Sequence, residues 1–154
     1  ISVSASIAAT STQKEKIFQK KKINFNISGG KINFDQTKLI NNKIGLLKLD
    51  NSRLFFDDKR LILTTDIIID INNNDKLFTL LQTDKQFRKP IKNILVNLNY
   101  DFLSNQIEIN NRKIENRDAN DELLRIIENF NDNNSNNWNK TKGLLNTFFK
   151  AYEG

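Results

Sequence analysis

The sequence predicts an α+β fold in which a twisted antiparallel β-sheet is followed by a C-terminal helical pair. Apolar and polar residues alternate through most of the first two thirds of the chain, as in strands that have one face buried. Short polar turns separate these alternating runs. In the last third the apolar residues recur every three to four positions, which is typical of amphipathic helices. A chain of 154 residues is long enough to bury a core as one domain.

The N-terminal residues already alternate. Ile1, Val3, Ala5 and Ile7 are separated by serines, as in a strand in progress. We therefore expect residues 1–22 to be the end of a preceding β segment, and the chain to be a fragment that lacks its earlier part. No stretch reaches the roughly 18 apolar residues of a membrane-spanning helix. Any membrane anchor is therefore expected to lie outside these residues.

Residues 23–116 are predicted to form the sheet, with hairpins as its units. Gly29-Gly30 lies between two alternating runs, and glycine reaches the positive φ of a tight hairpin turn without steric cost. The polar residues 57–59 separate a second pair of runs, and Ser104-Asn105 separates a third pair. Between the first two hairpins, residues 44–49 are expected to form a separate strand.

Helices are expected in three places. A short one near 75–83 interrupts the sheet, because its leucines and phenylalanine have helical spacing. Residues 117–154 are predicted to form the helical pair, with helices over 118–131 and 137–152 and with Asp118 as the N-cap of the first. The Asn-rich break between them is short, so an antiparallel pair is the simplest arrangement.

Composition excludes several functional classes. The chain has neither cysteine nor histidine, which removes disulfides, thiolate metal sites and the commonest general base. No nucleophile motif or phosphate-binding loop is present. Asp66 and Asp70 share a strand face, but a rise of about 3.3 Å per residue places them about 13 Å apart, too far for one metal ion or a retaining carboxylate pair. We therefore predict no catalytic residue, no metal site, no cofactor and no enzyme activity.

The net charge of +6 by itself indicates little about the partners of this chain. Asn, Ile and Lys account for 25, 20 and 18 of the 154 residues, and these amino acids have A/T-rich codons. Only six of the 24 basic residues are arginine, the better residue for forked contacts with phosphate. In the densest basic cluster, Lys20, Lys21 and Lys22 are candidates for contact with lipid headgroups. A solvated strand and a nucleic-acid contact are the alternatives for this cluster.

The apolar faces of the predicted hairpins must be covered by something. The sheet either packs on its own helices as a plain scaffold or curls into a trough that holds lipid chains. Burying one CH₂ is worth about 0.8 kcal/mol, so a 16-carbon chain gains on the order of 12 kcal/mol by leaving water. The candidates for lipid contact are residues on the apolar faces of the predicted strands: Ile32, Phe34, Leu47, Leu49, Phe56, Leu63, Ile67, Ile69, Val96, Leu98 and Tyr100.

Several short motifs carry a resemblance to a known family. They are residues 29–35 (GGKINFD) with Leu39, residues 45–50 (GLLKLD), Tyr100-Asp101-Phe102 before the strand at 106–110, residues 127–131 (IENFN), Leu144-Leu145-Asn146, and the closing Tyr152-Glu153-Gly154. From Ile23 to the end, the chain resembles the C-terminal region of AsmA-like bacterial envelope proteins, the AsmA/TamB/YhdP-type superfamily.

The resemblance implies a non-enzymatic envelope protein without a cofactor. It implies an inner-membrane anchor in a missing N-terminal segment, a periplasmic β-groove, and a role in phospholipid passage or outer-membrane assembly. The partners we accordingly expect are phospholipid and an envelope protein that docks on the C-terminal helices, and no nucleic acid. This chain departs from the full pattern because it lacks the anchor and most of the groove. A structural or adhesion scaffold and a Lys-rich nucleic-acid-binding domain remain as alternatives.

Overall fold

The structure, a computed structural model, describes residues 2–10, 17–115, 117–118, 120–123, 125–126 and 138–152. In these residues the strands are β1 (Ser2–Thr10), β2 (Lys20–Ser28), β3 (Lys31–Asn33), β4 (Lys38–Asn41), β5 (Gly45–Asp57), β6 (Arg60–Ile71), β7 (Asn93–Asp101), β8 (Gln106–Ile114) and β9 (Arg117–Asp118). The helices are α1 (Asn74–Leu81), α2 (described at 121–123 and 125–126) and α3 (Trp138–Ala151), with a 3-10 turn at Lys85–Phe87.

The strands form one antiparallel sheet in the order β1-β2-β3-β5-β6-β7-β8-β9, with β4 paired to β2 and β5. β2 is shared, because Lys20–Lys22 pairs with β4 and Asn26–Ser28 pairs with β3. The predicted boundary at residue 22 therefore falls inside a strand, and β1 belongs to the same sheet through its pairing with β2. The α+β class predicted from the sequence is confirmed.

The two outer strands of the sheet differ in chemistry. β1 contains no charged residue and no proline. β8, near the other edge, carries Glu108, Arg112 and Lys113, and a bulge interrupts its pairing with β7 at Asn97 and Leu98. Charges and bulges are the features that usually protect an edge strand from pairing with another chain.

The three predicted hairpins are confirmed. Gly29 and Gly30 have φ values of +56° and +72° between β2 and β3. Asp58 and Lys59 also adopt positive φ, 41° and 70°, between β5 and β6. Two central residues of positive φ match the right-handed twist of the flanking strands, which is why such turns are favoured in hairpins. The third turn, at 102–105, joins β7 to β8.

The expectation of a separate strand at 44–49 is wrong. β5 begins at Gly45 and continues to Asp57, with a bulge between Asp50 and Arg53. Asn51 has a φ of 48° in this bulge. The extra residue inverts the alternation of side chains along β5, which is why the sequence looks like two unrelated runs.

The helices near 75–83 and over 137–152 are confirmed as α1 and α3. The prediction of Asp118 as an N-cap is wrong, because Asp118 lies in β9 and pairs with Lys113. The side chain of Asn120 instead accepts a hydrogen bond from the Leu123 N–H at 2.9 Å. Asparagine is as good a cap as aspartate, so local preference could not decide between the two. Residues 127–131 of the predicted helix lie outside the described residues.

The hydrophobic core lies at one end of the sheet. Its helical and loop members include Phe78, Ile91 and Phe149, which are 2%, 0% and 3% exposed. The rings of Phe78 and Phe149 meet edge to face with centroids 5.2 Å apart. The strand residues that belong to this core are Ile69, Ile71, Ile94 and Ile114. We call this end of the sheet, where β6 ends and β7 begins, the helix end. The opposite end, which carries the three hairpin turns, is the turn end.

A polar clamp joins α1 to α3 beside this core. The side chain of Asn146 donates to the Leu81 carbonyl at 2.8 Å and accepts from the Thr83 hydroxyl at 2.6 Å. Lys142 reaches Gln82 Oε1 at 2.9 Å. These bonds satisfy groups left unpaired where α1 ends, so the two helices are held together in a defined register.

Candidate functional site: the apolar face of the sheet

The cross-strand register places apolar residues on one side of the sheet. Because directly paired residues point to the same side, a row of partners can be followed from strand to strand. One row near the turn end, here called the distal row, crosses seven strands and consists of Val3, Ile27, Ile32, Leu54, Leu63, Tyr100 and Ile107. Six strand spacings of about 4.8 Å make it about 29 Å wide.

Further rows continue the same side toward the helix end. A middle row joins Leu49, Ile67 and Val96 and ends in the charged residue Arg112 of β8. A proximal row consists of Ala9, Lys21, Leu39, Leu47, Ile69, Ile94 and Ile114. We call this whole side of the sheet, from the distal to the proximal row, the apolar face.

The candidates for lipid contact that lie in strands all share the apolar face. The bulge in β5 makes this possible, since it returns Leu54 and Phe56 to the side already occupied by Leu47 and Leu49. Phe34 directly follows β3, and its N–H donates to Ser52 Oγ at 2.7 Å. The alternation in the sequence thus identified residues that the structure brings together on one surface.

Among the described residues, the apolar side chains of this face beyond the helix end are only partly covered. None of the lipid-contact candidates is buried, and Phe56 is 73% exposed. Among them, Ile69 packs against the helical core and so belongs to the covered helix end. The remaining candidates lie beyond that core, where the strand side chains shield one another only in part. An apolar surface of this extent usually marks an interaction site.

Some members of the apolar face were missed by sequence reasoning. Val3 and Ile7 of β1 are 48% and 54% exposed, and Ile27 of β2 is 38% exposed. Leu54 lies between Ile32 and Leu63 in the distal row, and Ile107 ends the row beyond Tyr100. The alternation in β1 was a usable signal, and Leu54 shares the alternation of Phe56, which the sequence did assign to this face.

The opposite side is a hydrogen-bonded polar face. Asp66 accepts from the amides of Asn51 and Asn97, each at 2.6 Å. The Thr64 hydroxyl donates to Asn99 at 2.8 Å. Asp66 and Asp70 lie on this face, as their spacing predicted. Because the Asp66 carboxylate accepts hydrogen bonds from two amides of neighbouring strands, it stabilises the pairing of those strands.

The polar face contains concavities. One depression of about 510 Å³ is lined mainly by serine and asparagine side chains of β1, β2 and β3. Another of about 330 Å³ near the turn end includes Asp57, Arg60, Asp101 and Glu108. Asp57 is paired with Arg60 at 3.0 Å. Within the described part of the chain, no group of three or more acidic side chains has the geometry to hold a metal ion.

The three lysines proposed to contact headgroups do not all point to the same face of the sheet. Lys21 is on the apolar face, between Ala9 and Leu39 in neighbouring strands. Lys20 and Lys22 point to the polar face, because successive residues of a strand alternate. Lys21 alone can therefore lay its aliphatic stem along the apolar face while its ammonium group stays in water.

A polar junction holds the bulge of β5 in place. Ser52 is fully buried, and its N–H and Oγ–H donate to Asp35 at 2.6 and 3.0 Å. The Asn33 amide donates to the same carboxylate at 2.8 Å. Burial raises the pKa of Asp35, but the hydrogen bonds from Ser52 and Asn33 outweigh it, and the pKa lies below its ordinary value of 3.8. The charged carboxylate thus stabilises the bulge that keeps both halves of β5 on one face.

No helix in the described residues combines the length and apolar character needed to cross a bilayer. Comparisons with protein-family models, with curated proteins and with solved structures return no match. The resemblance to AsmA-like envelope proteins therefore stays a prediction, and the functional argument depends on the geometry of the apolar face.

Proposed function

We propose that this chain is a non-enzymatic lipid-handling segment whose apolar face receives the acyl chains of phospholipid. The single observation that supports this most strongly is the apolar face itself. It crosses the sheet from β1 to β8, and outside the helix end its apolar members are half-buried or exposed. Thr65 lies on the same side, between Leu63 and Ile67, and is buried. A scaffold that covered this surface with its own helices would bury the distal row, as Ile71 and Ile114 are buried at the helix end.

The dimensions of the face suit an acyl chain. From Leu61 to Ile67 on β6, six residues at about 3.3 Å give about 20 Å of strand beyond the helix end. In a bilayer, one acyl chain spans half of the hydrocarbon core, which is about 30 Å thick. An acyl chain can therefore lie along the strands, and each CH₂ that leaves water contributes about 0.8 kcal/mol. No reactive group is required for such binding.

The location and biological role belong to the same proposal and depend on the resemblance to AsmA-like proteins. On that basis we propose a Gram-negative-type periplasm, an inner-membrane anchor outside this chain, and a contribution to phospholipid passage or outer-membrane assembly. The C-terminal helices, which close the helix end, are the proposed surface for an envelope protein partner. The polar face, with its cross-strand amide and carboxylate bonds, would face water.

The test is binding of a fluorescent phospholipid to the purified chain and to two neighbouring variants. Leu63→Arg places a charge in the centre of the distal row, between Leu54 and Tyr100. Ile62→Arg is the matched control, because Ile62 is adjacent in the same strand but points to the polar face. We expect Leu63→Arg to weaken binding at least about tenfold, since an unpaired charge on an apolar surface costs more than the roughly 1.4 kcal/mol that corresponds to tenfold. Ile62→Arg should bind as the wild type does.

Circular dichroism of both variants checks that the sheet is retained. The proposal fails if the wild-type chain binds no phospholipid, or if the two arginine variants bind equally well. Binding to nucleic acid that weakens steeply with salt, together with an absence of lipid binding, would favour the nucleic-acid alternative.

A further inference from the structure

Exposed large apolar side chains concentrate at the turn end. Phe56, Phe102 and Leu103 are 73%, 43% and 66% exposed, and Val3 and Ile27 lie in the row nearest the same end. The helix end shows the opposite pattern, because its apolar residues form the core. The apolar face is thus closed at one end and continues to an exposed apolar rim at the other.

The exposed residues belong to neighbouring strands. Phe56 pairs with Leu61, and the Phe102 N–H donates to the Leu61 carbonyl at 2.9 Å. The rings of Tyr100 and Phe102 meet edge to face with centroids 4.7 Å apart. The apolar face therefore runs without interruption from Leu63 and Tyr100 in the distal row into Phe56, Leu61 and the third hairpin turn.

The third turn is held rigidly while its side chains stay exposed. The Asp101 carboxylate accepts from the N–H groups of Leu103 and Ser104, at 2.8 and 3.3 Å. The Tyr100 hydroxyl bonds to the Asn105 side chain at 3.0 Å. Because these bonds already satisfy polar groups of the turn, Leu103 can enter an apolar medium without carrying unpaired amides with it.

The charges of the turn end nearly cancel. Lys59 and Arg60 are adjacent to Asp57 and Asp58, and Arg60 is paired with Asp57. Lys31 follows the first turn and Asp101 precedes the third turn, so these two add one charge of each sign. A surface held to its partner by charge would carry an excess of one sign. The chemistry of this end is instead that of apolar and aromatic side chains bordered by a few polar ones, which is typical of the boundary between hydrocarbon and headgroups.

We propose that the turn end docks on the surface of a phospholipid bilayer, with Phe102 and Leu103 inserted among the headgroups. The docking stands on the exposure and rigidity of this rim. The passage of lipid between the bilayer and the apolar face at this end depends in addition on the function proposed above. The nearly balanced charge of the rim and its exposed aromatic and aliphatic side chains favour a bilayer surface as the occupant.

The experiment measures co-flotation of the whole chain with phosphatidylcholine vesicles, and with vesicles in which part of this lipid is replaced by phosphatidylglycerol. Leu103→Ser removes an exposed anchor, and we expect it to lower vesicle binding at least about tenfold. Leu103→Trp restores an interfacial side chain and should bind at least as well as the wild type. The matched control is Leu46→Ser, because Leu46 lies on the polar face near the helix end and its loss should leave vesicle binding unchanged.

Salt and lipid loading separate this inference from the proposed function. We expect vesicle binding to persist in high salt and to need no anionic lipid. The docking inference is refuted if Leu103→Ser floats like the wild type, if Leu46→Ser loses as much binding, or if binding requires phosphatidylglycerol and disappears in salt. Leu103→Ser should retain bound phospholipid in solution, whereas Leu63→Arg should lose it. Vesicle docking without any phospholipid loading would therefore support the docking and refute the lipid-holding face.

Discussion

Replacing Ser52 by alanine should destabilise the protein far more than a typical Ser→Ala change. Ser52 is fully buried at the bulge of β5, where its hydroxyl donates to Asp35 at 3.0 Å and accepts from the Phe34 N–H at 2.7 Å. The substitution removes a hydrogen bond to a charged group and leaves a backbone N–H without its acceptor. A bond to a charged group contributes about 1.5–3 kcal/mol, and an unsatisfied buried donor costs about 1–3 kcal/mol. Because the Ser52 N–H still bonds Asp35, we expect a net loss of about 2–4 kcal/mol.

Urea denaturation followed by circular dichroism measures this loss, with Ser6→Ala as the matched control. Ser6 donates to Asn24 at 2.7 Å on the exposed side of β1, and its loss should cost less than about 1 kcal/mol. The reasoning is refuted if Ser52→Ala and Ser6→Ala have the same midpoint and slope.

The same junction predicts a dependence on pH. The pKa of Asp35 is lower in the folded protein than its ordinary value of 3.8. Its stabilising contribution is therefore fully present above that value and is lost as pH falls through the lower, folded value. We expect the wild type to lose stability in this acid range, and Asp35→Asn to lose less of it. Equal acid dependence in the two proteins would show that the Asp35 carboxylate does not stabilise the bulge.

Substitutions at Gly45, Gly143 and Asn146 test the helix end. Gly45→Ala should destabilise the protein by about 2–4 kcal/mol, because a Cβ at this residue would lie 2.0 Å from the Asp70 carbonyl oxygen. Gly143→Ala, in an open position of α3, should instead stabilise the protein by about 0.5–1 kcal/mol. Thermal unfolding that ranks the two variants otherwise would contradict both predictions. Asn146→Ala should cost about 1–3 kcal/mol, because it leaves the Thr83 hydroxyl and the end of α1 without a partner. Faster amide exchange near residues 81–83 in this variant, and none in Thr147→Ala, would distinguish loss of the clamp from general destabilisation.

Local signals predicted most of the elements. Hairpins were recognisable because their turns contain residues that reach positive φ, such as Gly29 and Gly30, and because alternation has a fixed period. The amphipathic spacing that predicted α3 is likewise a local property. The bulge of β5 was missed for the same reason, since one extra residue at Asn51 breaks the period and makes a single strand look like two.

The openness of the apolar face could not be predicted in this way. A strand that faces its own helices and a strand that faces water or lipid have the same alternation, so Ile69 and Leu63 look alike in sequence. Only the packing of the helices on Ile69 but not on Leu63 separates them. The division of Lys20, Lys21 and Lys22 between the two faces, in contrast, follows from the sequence. Three consecutive residues of a strand cannot share a face, and the alternation from Ile23 to Ile27 already placed this segment in a strand.

The uncharged β1 gives the sheet a direction in which it can widen. Another strand that hydrogen-bonds to β1 would meet no charge and no proline, whereas the side of β8 resists such an addition. Val3 and Ile7 place apolar side chains on the same side of β1. Each added strand that continues this pattern would broaden the apolar face by about 4.8 Å and leave the helix end unchanged. If the apolar face holds lipid as proposed, the amount of hydrocarbon that it shelters would grow with each strand added beside β1.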